Sequence, residues 1–271
     1  MTAPFYNRPI NEITRGPIKR FLMGKLDSGL SPSHTNHIKI AISRVMAEAL
    51  DDDAIQANPA LGIRLKSKST KPPIRPLVGD EAHALLEAFR NKYPRHLALV
   101  SLLLTTGMRI GEALGLQWGD IDFEAGTAHI QRNYVRQRID TPKSGRDRVV
   151  DLTDGMVAML RERRRQQSLE LLRKGRKIKW VFPSRNPDTP LNQQPWHEGT
   201  FYKAVKTAGL RHTRIHDLRH TYASTMISKG VNPMYVSQQL GHASLSITLD
   251  IYSRWIPQRK DKPVSILSEF V

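Results

Sequence analysis

"TTGMRIGEALGLQWGDID" (105–122) is the stretch on which the fold turns. Ahead of it, "HLALVSLLLTTG" (96–107) reads as a buried helix that stops at Gly107, because glycine supplies the left-handed conformation that ends helices. From Met108 the helical spacing restarts with Ile110 and Leu114, then breaks. Beyond Asp122 the period changes. "TAHIQRNYVRQ" (127–137) and "RDRVVDL" (146–152) read as strands around a turn at "DTPKSG" (140–145). The expected class is therefore mainly α with a small antiparallel β-sheet (α+β).

Working outward, Asp80 is expected to cap a helix running through Phe89. Residues 12–27 predict another helix, and "GLSPSHTNHIKIAISRVMAEAL" (29–50) a clearer one. There Ser31 caps, Pro32 suits the first position, and Ile38, Ile42, Val45, Met46 and Ala49 form one stripe. "NPALGIRLKSKSTKPPIRP" (58–76) is rich in Pro, Ser and Lys and poor in apolar residues. The chain is divided accordingly into a helical domain (1–66), a linker (67–76) and a second domain (77–271). Downstream, helices are expected over 155–180, 197–210, 217–230 (capped by Asp217) and 232–241, where Asn232 caps and Gly241 stops.

With 42 Lys and Arg against 25 Asp and Glu, the chain carries a formal charge of +17. Such a surplus repels itself in a compact state and calls for a polyanionic partner, nucleic acid before anionic lipid. Nine basic residues between Arg161 and Lys179 stand against Glu162 and Glu170. They are as compatible with a solvated helix face as with a DNA contact. The chain has no cysteine, which removes disulfides and thiolate chemistry. The apolar run "LALVSLLL" (97–104) falls far short of the ~20 residues of a membrane span. No export signal is seen, so a cytoplasmic, nucleoid-associated location is expected. Asp51, Asp52 and Asp53 read as an acidic turn rather than a metal site.

Five cationic or imidazole side chains sit at structured positions. Arg109 begins a helix just after Gly107, His216 and Arg219 lie three apart on one helix face, Lys143 sits at a hairpin tip, and His242 follows Gly241. Each has a plain structural explanation when taken alone, and Tyr252 is one of seven tyrosines. Brought together, they would clamp a phosphate, which Arg binds bidentately and Lys as a point charge. Such a clamp stabilises the charge that builds on a phosphoryl transition state.

Four segments resemble the tyrosine recombinases, the family that includes phage and mobile-element integrases. "TTGMRIGEALGLQWGDID" resembles the segment of its first catalytic Arg, and "PKSGRDRVVDL" (142–152) its hairpin Lys segment. "IHDLRHTYAS" (215–224) resembles its His-x-x-Arg motif, and "LGHASLSITLDIY" (240–252) its Gly-His motif followed by the nucleophile. They occur in the family's order. The resemblance implies a tyrosine-recombinase catalytic domain preceded by a helical core-binding domain. The latter is short of the family's four or so helices, so a truncated or a naturally short protein is expected. It further implies that Tyr252 attacks the scissile phosphate, Arg109 and Arg219 hold its oxygens, and Lys143 is the general acid. His216 and His242 would hydrogen-bond, His216 being favoured to take the Tyr proton, with Glu112 bracing Arg109. No cofactor and no metal are implied. The implied partners are double-stranded DNA, a tetramer of the same chain and an accessory DNA-bending protein, with no membrane. Two alternatives remain open at this point: a type IB topoisomerase-like relaxer, and a basic DNA-binding regulator without chemistry.

Overall fold

The computed structural model describes residues 5, 7–65, 74–141, 147–172 and 175–257. It divides into two compact units, Met1–Pro73 and Ile74–Val271.

In the first unit, α1 (Arg15–Asp27) packs on α2 (Pro32–Asp51). Ser31 caps α2 by accepting the His34 N–H at 3.2 Å, with Pro32 in the first turn, where a missing N–H costs nothing. Ile18, Leu22, Met46, Ala60 and Ile63 form the core. Val45, expected on the stripe, is 59% exposed. The buried face is centred on Thr35, Met46 and Ala49, and at 100° per residue Val45 falls at its edge. Asn58 fastens the return of the chain, donating to the Ser43 carbonyl at 2.8 Å and accepting from the Ala60 N–H at 2.9 Å.

The second unit begins with α3 (Gly79–Lys92), α4 (Pro94–Thr106) and the short α5 (Ile110–Leu114). Val78, not Asp80, is the cap of α3. Glu81 reaches back to the Val78 N–H at 3.0 Å, and Asp80 sits within the first turn, where its charge suits the helix dipole. Ala98, Leu99, Val100, Leu102 and Leu103 of α4 are buried, as the apolar run requires.

The chain then forms β1 (Ile121–Asp122), β2 (Thr127–Ile130), β3 (Asn133–Val135), β4 (Arg138–Asp140) and β5 (Arg148–Asp151). One sheet has the order β1-β2-β5, antiparallel, with Ala128 opposite Val150. The strand expected over 127–137 breaks after Ile130, and β3 and β4 make a separate hairpin. Arg136 and Gln137 turn it with φ of 50° and 61°, the doubly left-handed geometry of a tight hairpin.

Next come α6 (Asp154–Leu172), α7 (Gln193–Trp196) and α8 (Tyr202–Thr207). The helix expected to 180 stops at Leu172; the Arg176 N–H closes onto the Leu171 carbonyl at 3.0 Å, and Trp180 bridges to Gln117. The expected 197–210 helix opens with a π-helical turn, His197–Phe201, before α8. Finally α9 (Ile215–Ser228), α10 (Pro233–Leu240) and α11 (Leu245–Tyr252) pack together. Arg214, not Asp217, caps α9; Asp217 lies in the first turn and accepts the Arg214 N–H at 2.8 Å. The larger core gathers Leu85, Phe89, Leu99, Leu102, Leu114 and Phe201, and a smaller one holds Tyr222, Ile227, Val236, Leu240 and Tyr252. Each such side chain contributes about 1.5–3 kcal/mol by leaving water. Among the described residues, no helix is long and apolar enough to cross a membrane.

Candidate active site

The site is organised by the end of α4. Gly107 adopts φ +65°, and a Cβ there would lie 2.5 Å from the Tyr222 ring, so a larger residue is excluded twice over. This close approach lets α9 present Arg219 to the same turn. The Arg219 Nη1 donates to the Gly107 carbonyl at 2.9 Å and Nη2 to the Leu240 carbonyl at 2.7 Å. Arg219 is only 3% exposed. Burial first, then the neighbouring Arg109 charge, lower its pKa to about 9, so it stays cationic at neutral pH.

Arg109 is the N-cap of α5. Its backbone N–H donates to Glu112 Oε2 and its Nη1 to Glu112 Oε1, both at 2.9 Å. Arg148, at the start of β5, grips the same carboxylate with Nη2 at 2.7 Å and Nη1 at 3.1 Å, and gives Nε to the Gln239 carbonyl at 2.8 Å. Burial alone would raise the Glu112 pKa. The Arg148 hydrogen bonds and the two guanidinium charges outweigh it and hold the carboxyl below its usual range.

Two histidines fasten α11. His242 Nδ1 lies 2.7 Å from Thr248 Oγ1, and His220 Nδ1 lies 2.7 Å from Tyr252 Oη. Burial brings both imidazoles down to about 4, helped by Arg219 for His242 and by His216 for His220. His216 stands edge-on to His220 with ring centroids 4.8 Å apart. Burial and the Arg219 and Arg109 charges lower its pKa too. Tyr252 is 1% exposed, and burial pushes its phenol up to about 12 against the opposing Arg219 charge.

Arg109, His216, Arg219, His242 and Tyr252 thus share one electrostatic neighbourhood. Lys143 lies outside the described residues, in the segment joining β4 to β5. Arg148, His220 and Gln239 belong to the same neighbourhood and were not singled out from the sequence. His220 was within reach of the helical rule, standing one turn after His216 on α9. Arg148 looked like any outward residue of a strand, and Gln239 carried no signal. Gln239 also ties α10 to β5, accepting the Asp151 N–H at 2.9 Å. The Tyr252 hydroxyl is hydrogen-bonded to His220, and His216, expected to take its proton, meets His220 ring to ring. A cavity of about 560 Å³ lies elsewhere, between α4 and α6, walled in part by Arg95, Arg163 and Arg185.

Residues 75–259 match the model of the phage integrase family. The chain belongs to that family. It is 31% identical to the protein IntQ of Escherichia coli (strain K12) over 89% of this chain and 64% of that relative, so it spans less than two thirds of IntQ's length. Among solved structures, the Tn1549 transposon integrase in complex with a circular intermediate DNA superimposes with a TM-score of 0.75 at 22% identity, covering 97% of this chain and 87% of the other. A lambda integrase tetramer bound to a Holliday junction gives a TM-score of 0.67 at 18% identity, covering 94% and 69%. At these identities the likeness is one of fold. Integrase-family membership places the four motifs read above in a single matched segment, apart from the helical first unit. Among the described residues, no group of three or more His, Asp or Glu is placed to hold a metal ion.

Proposed function

We propose that the chain is a site-specific DNA recombinase of the integrase type, which cleaves and rejoins strands through a covalent 3′-phosphotyrosyl intermediate at Tyr252. One observation carries this reading. Two guanidiniums, Arg109 and Arg148, hold the buried carboxylate of Glu112, and a third, the buried Arg219, stands in the same electrostatic neighbourhood, bonded to two carbonyls. A surplus of two positive charges in a partly buried site favours an anion that becomes more negative on reaction. A phosphodiester under attack does so, passing from one negative charge toward two.

In this reading Arg109 and Arg219 bind the non-bridging oxygens with the N–H groups that the protein leaves unspent. Among the described residues, Arg219 has given two of its five N–H groups to carbonyls. His216 and His242, both neutral, supply hydrogen bonds, and Lys143 protonates the departing 5′-oxygen. Oη–P bond formation and P–O5′ cleavage balance, so the ester keeps the energy of the phosphodiester and rejoining runs backward without ATP or metal. The first unit serves as the core-DNA-binding half, joined through a linker over 67–76. The working form is a tetramer on DNA, a reading supported by the lambda integrase tetramer bound to a Holliday junction.

The test is a nicked duplex carrying the attachment site, mixed with protein in chelator and run on a denaturing gel. Wild type is expected to give a covalent adduct and Tyr252→Phe none. No adduct from wild type, or an equal amount from Tyr252→Phe, overturns the proposal. Site binding without capture would favour the regulator instead.

A further inference from the structure

The geometry points to His220 as the group that takes the Tyr252 proton during attack, a role that neither the charge clamp nor the His216–Arg219 spacing assigns. This inference rests on Tyr252 being the nucleophile. Its basis is direct contact: His220 Nδ1 and Tyr252 Oη are 2.7 Å apart, while His216 meets His220 ring to ring. A proton acceptor must lie within about 2.6–3.2 Å of the atom it serves, and His220 does. Both partners are buried, His220 at 8% and Tyr252 at 1% exposure, which keeps water from competing for the proton.

The charges facing His220 come from its own helix and cap, namely His216, Asp217, Arg214 and Arg219. From α11 it meets Tyr252. Asp217 is committed to Arg214 at 2.9 Å, so Asp217 is not available to hold an imidazolium firmly. Neutral His220 accepts the phenol's hydrogen bond through Nδ1, leaving an Oη lone pair for phosphorus. In the free protein the proton stays on oxygen, because burial holds the phenol up to about 12 and burial with His216 holds the imidazole down to about 4. As the Oη–P bond forms, the phenol loses its hold on the proton, which passes to Nδ1 while the P–O5′ bond breaks. The resting tyrosine is thereby inert toward solvent and activated only by a bound phosphate, whose charge also offsets the guanidinium field on the imidazole. On rejoining, the proton returns to Oη.

The experiment is single-turnover cleavage of the nicked duplex across pH 6–9 with wild type, His220→Ala, His220→Gln and His216→Ala, alongside DNA affinity and a melting curve. His220→Ala and His220→Gln are expected to cut roughly 10²–10³-fold more slowly at pH 7 with unchanged affinity. Their rates should climb about tenfold per pH unit, as hydroxide replaces the imidazole, whereas wild type stays flat. Imidazole in the buffer should partly rescue His220→Ala. His220→Gln guards against a folding defect, since its amide keeps an acceptor near Oη. Wild-type speed and a flat profile in His220→Gln overturn the inference, as does a steep profile appearing in His216→Ala instead. If wild type itself forms no adduct, the failure belongs to Tyr252 as nucleophile, and the proton relay falls with it.

Discussion

Arginine is dense along the sequence of α6 and is gathered from distant segments around Tyr252, and the two regions use the residue differently. On α6, Arg161 donates to the Phe123 carbonyl at 3.0 Å and pairs with Glu124. Arg163 donates to the Val181 and Arg95 carbonyls at 2.8 and 3.0 Å and stacks 4.9 Å over Phe182. Arg165 is paired with Glu162 at 2.8 Å. These guanidiniums are spent on the fold or neutralised by a neighbour in the sequence. Around Tyr252, residues far apart in sequence come together: Arg109 and Arg148 share the Glu112 carboxylate, Arg219 stands beside them on two carbonyls, and a positive surplus is left in a partly buried place. A group of cations signals chemistry when it outnumbers the carboxylates that serve it, as Arg109, Arg148 and Arg219 outnumber Glu112, not when its members are neighbours in the sequence.

The sharpest way to break that contrast is to remove one arginine from each region. Arg219→Ala is expected to lower DNA cleavage about 10²–10³-fold, the usual cost of one donor to a transition-state oxyanion. DNA affinity should hold, because many phosphate contacts share that work. Arg163→Ala should leave cleavage of folded protein unchanged. Equal loss of binding and cleavage in Arg219→Ala would move Arg219 from the reaction to docking.

The next effect is on stability. Glu112→Gln leaves Arg109 and Arg148 together in a buried site without a counter-charge, which costs about 3 kcal/mol by analogy with broken buried pairs. Chemical denaturation at pH 7 measures it. The pH dependence follows from the sign of the shift. The Glu112 carboxyl is depressed below its ordinary value of 4.5 in the fold, so its contribution is complete above that value and lost as pH falls through the lower folded one. Glu112→Gln should flatten this acid arm. The imidazoles of His96, His220 and His242, held near 4 instead of 6.5, add an acid-sensitive window between those values that the variant keeps. An unchanged acid arm in Glu112→Gln would mean that the carboxylate is not what neutralises the pair.

Much of this arrangement was legible in the sequence because local rules fixed it. Ser31 with Pro32, Asn232 with Pro233, and the stops at Gly107 and Gly241 fall where capping chemistry places them. The caps at Asp80 and Asp217 were misplaced by a few residues because a carboxylate at the third helical position bonds back to the cap N–H as effectively as a cap residue does. Here Glu81 and Asp217 play that part. The strand over 127–137 hid a break because Ala128, Ile130 and Tyr134 keep the same alternation across the interruption at Gln131 and Arg132, and the β3–β4 turn that follows is made by two ordinary side chains, Arg136 and Gln137. In the site, Arg109, His216, Arg219, His242 and Tyr252 could be read as a set in order. Arg148 could not, since its partners Glu112 and Gln239 are supplied by other elements and only the tertiary fold brings them to it.

The smallest effects test the α6 side of the comparison. Arg163 is mostly buried, and burial lowers its pKa to about 10, so it remains charged while donating to two carbonyls. Removing it in Arg163→Ala strands those acceptors and the Phe182 face, for a loss of about 1–3 kcal/mol in urea unfolding. Glu162→Gln should give no measurable change, although Glu162 is held down to about 2, first by the Arg165 hydrogen bond. Both members of that pair are exposed, and water screens the charges while ordering two long side chains offsets the attraction. Raising salt to 1 M, where the screening length is about 3 Å, should likewise leave the wild type and Glu162→Gln melting together. A clear separation between them at low salt, vanishing at high salt, would mean that the α6 charges carry long-range weight, and the line drawn between the two regions would have to move.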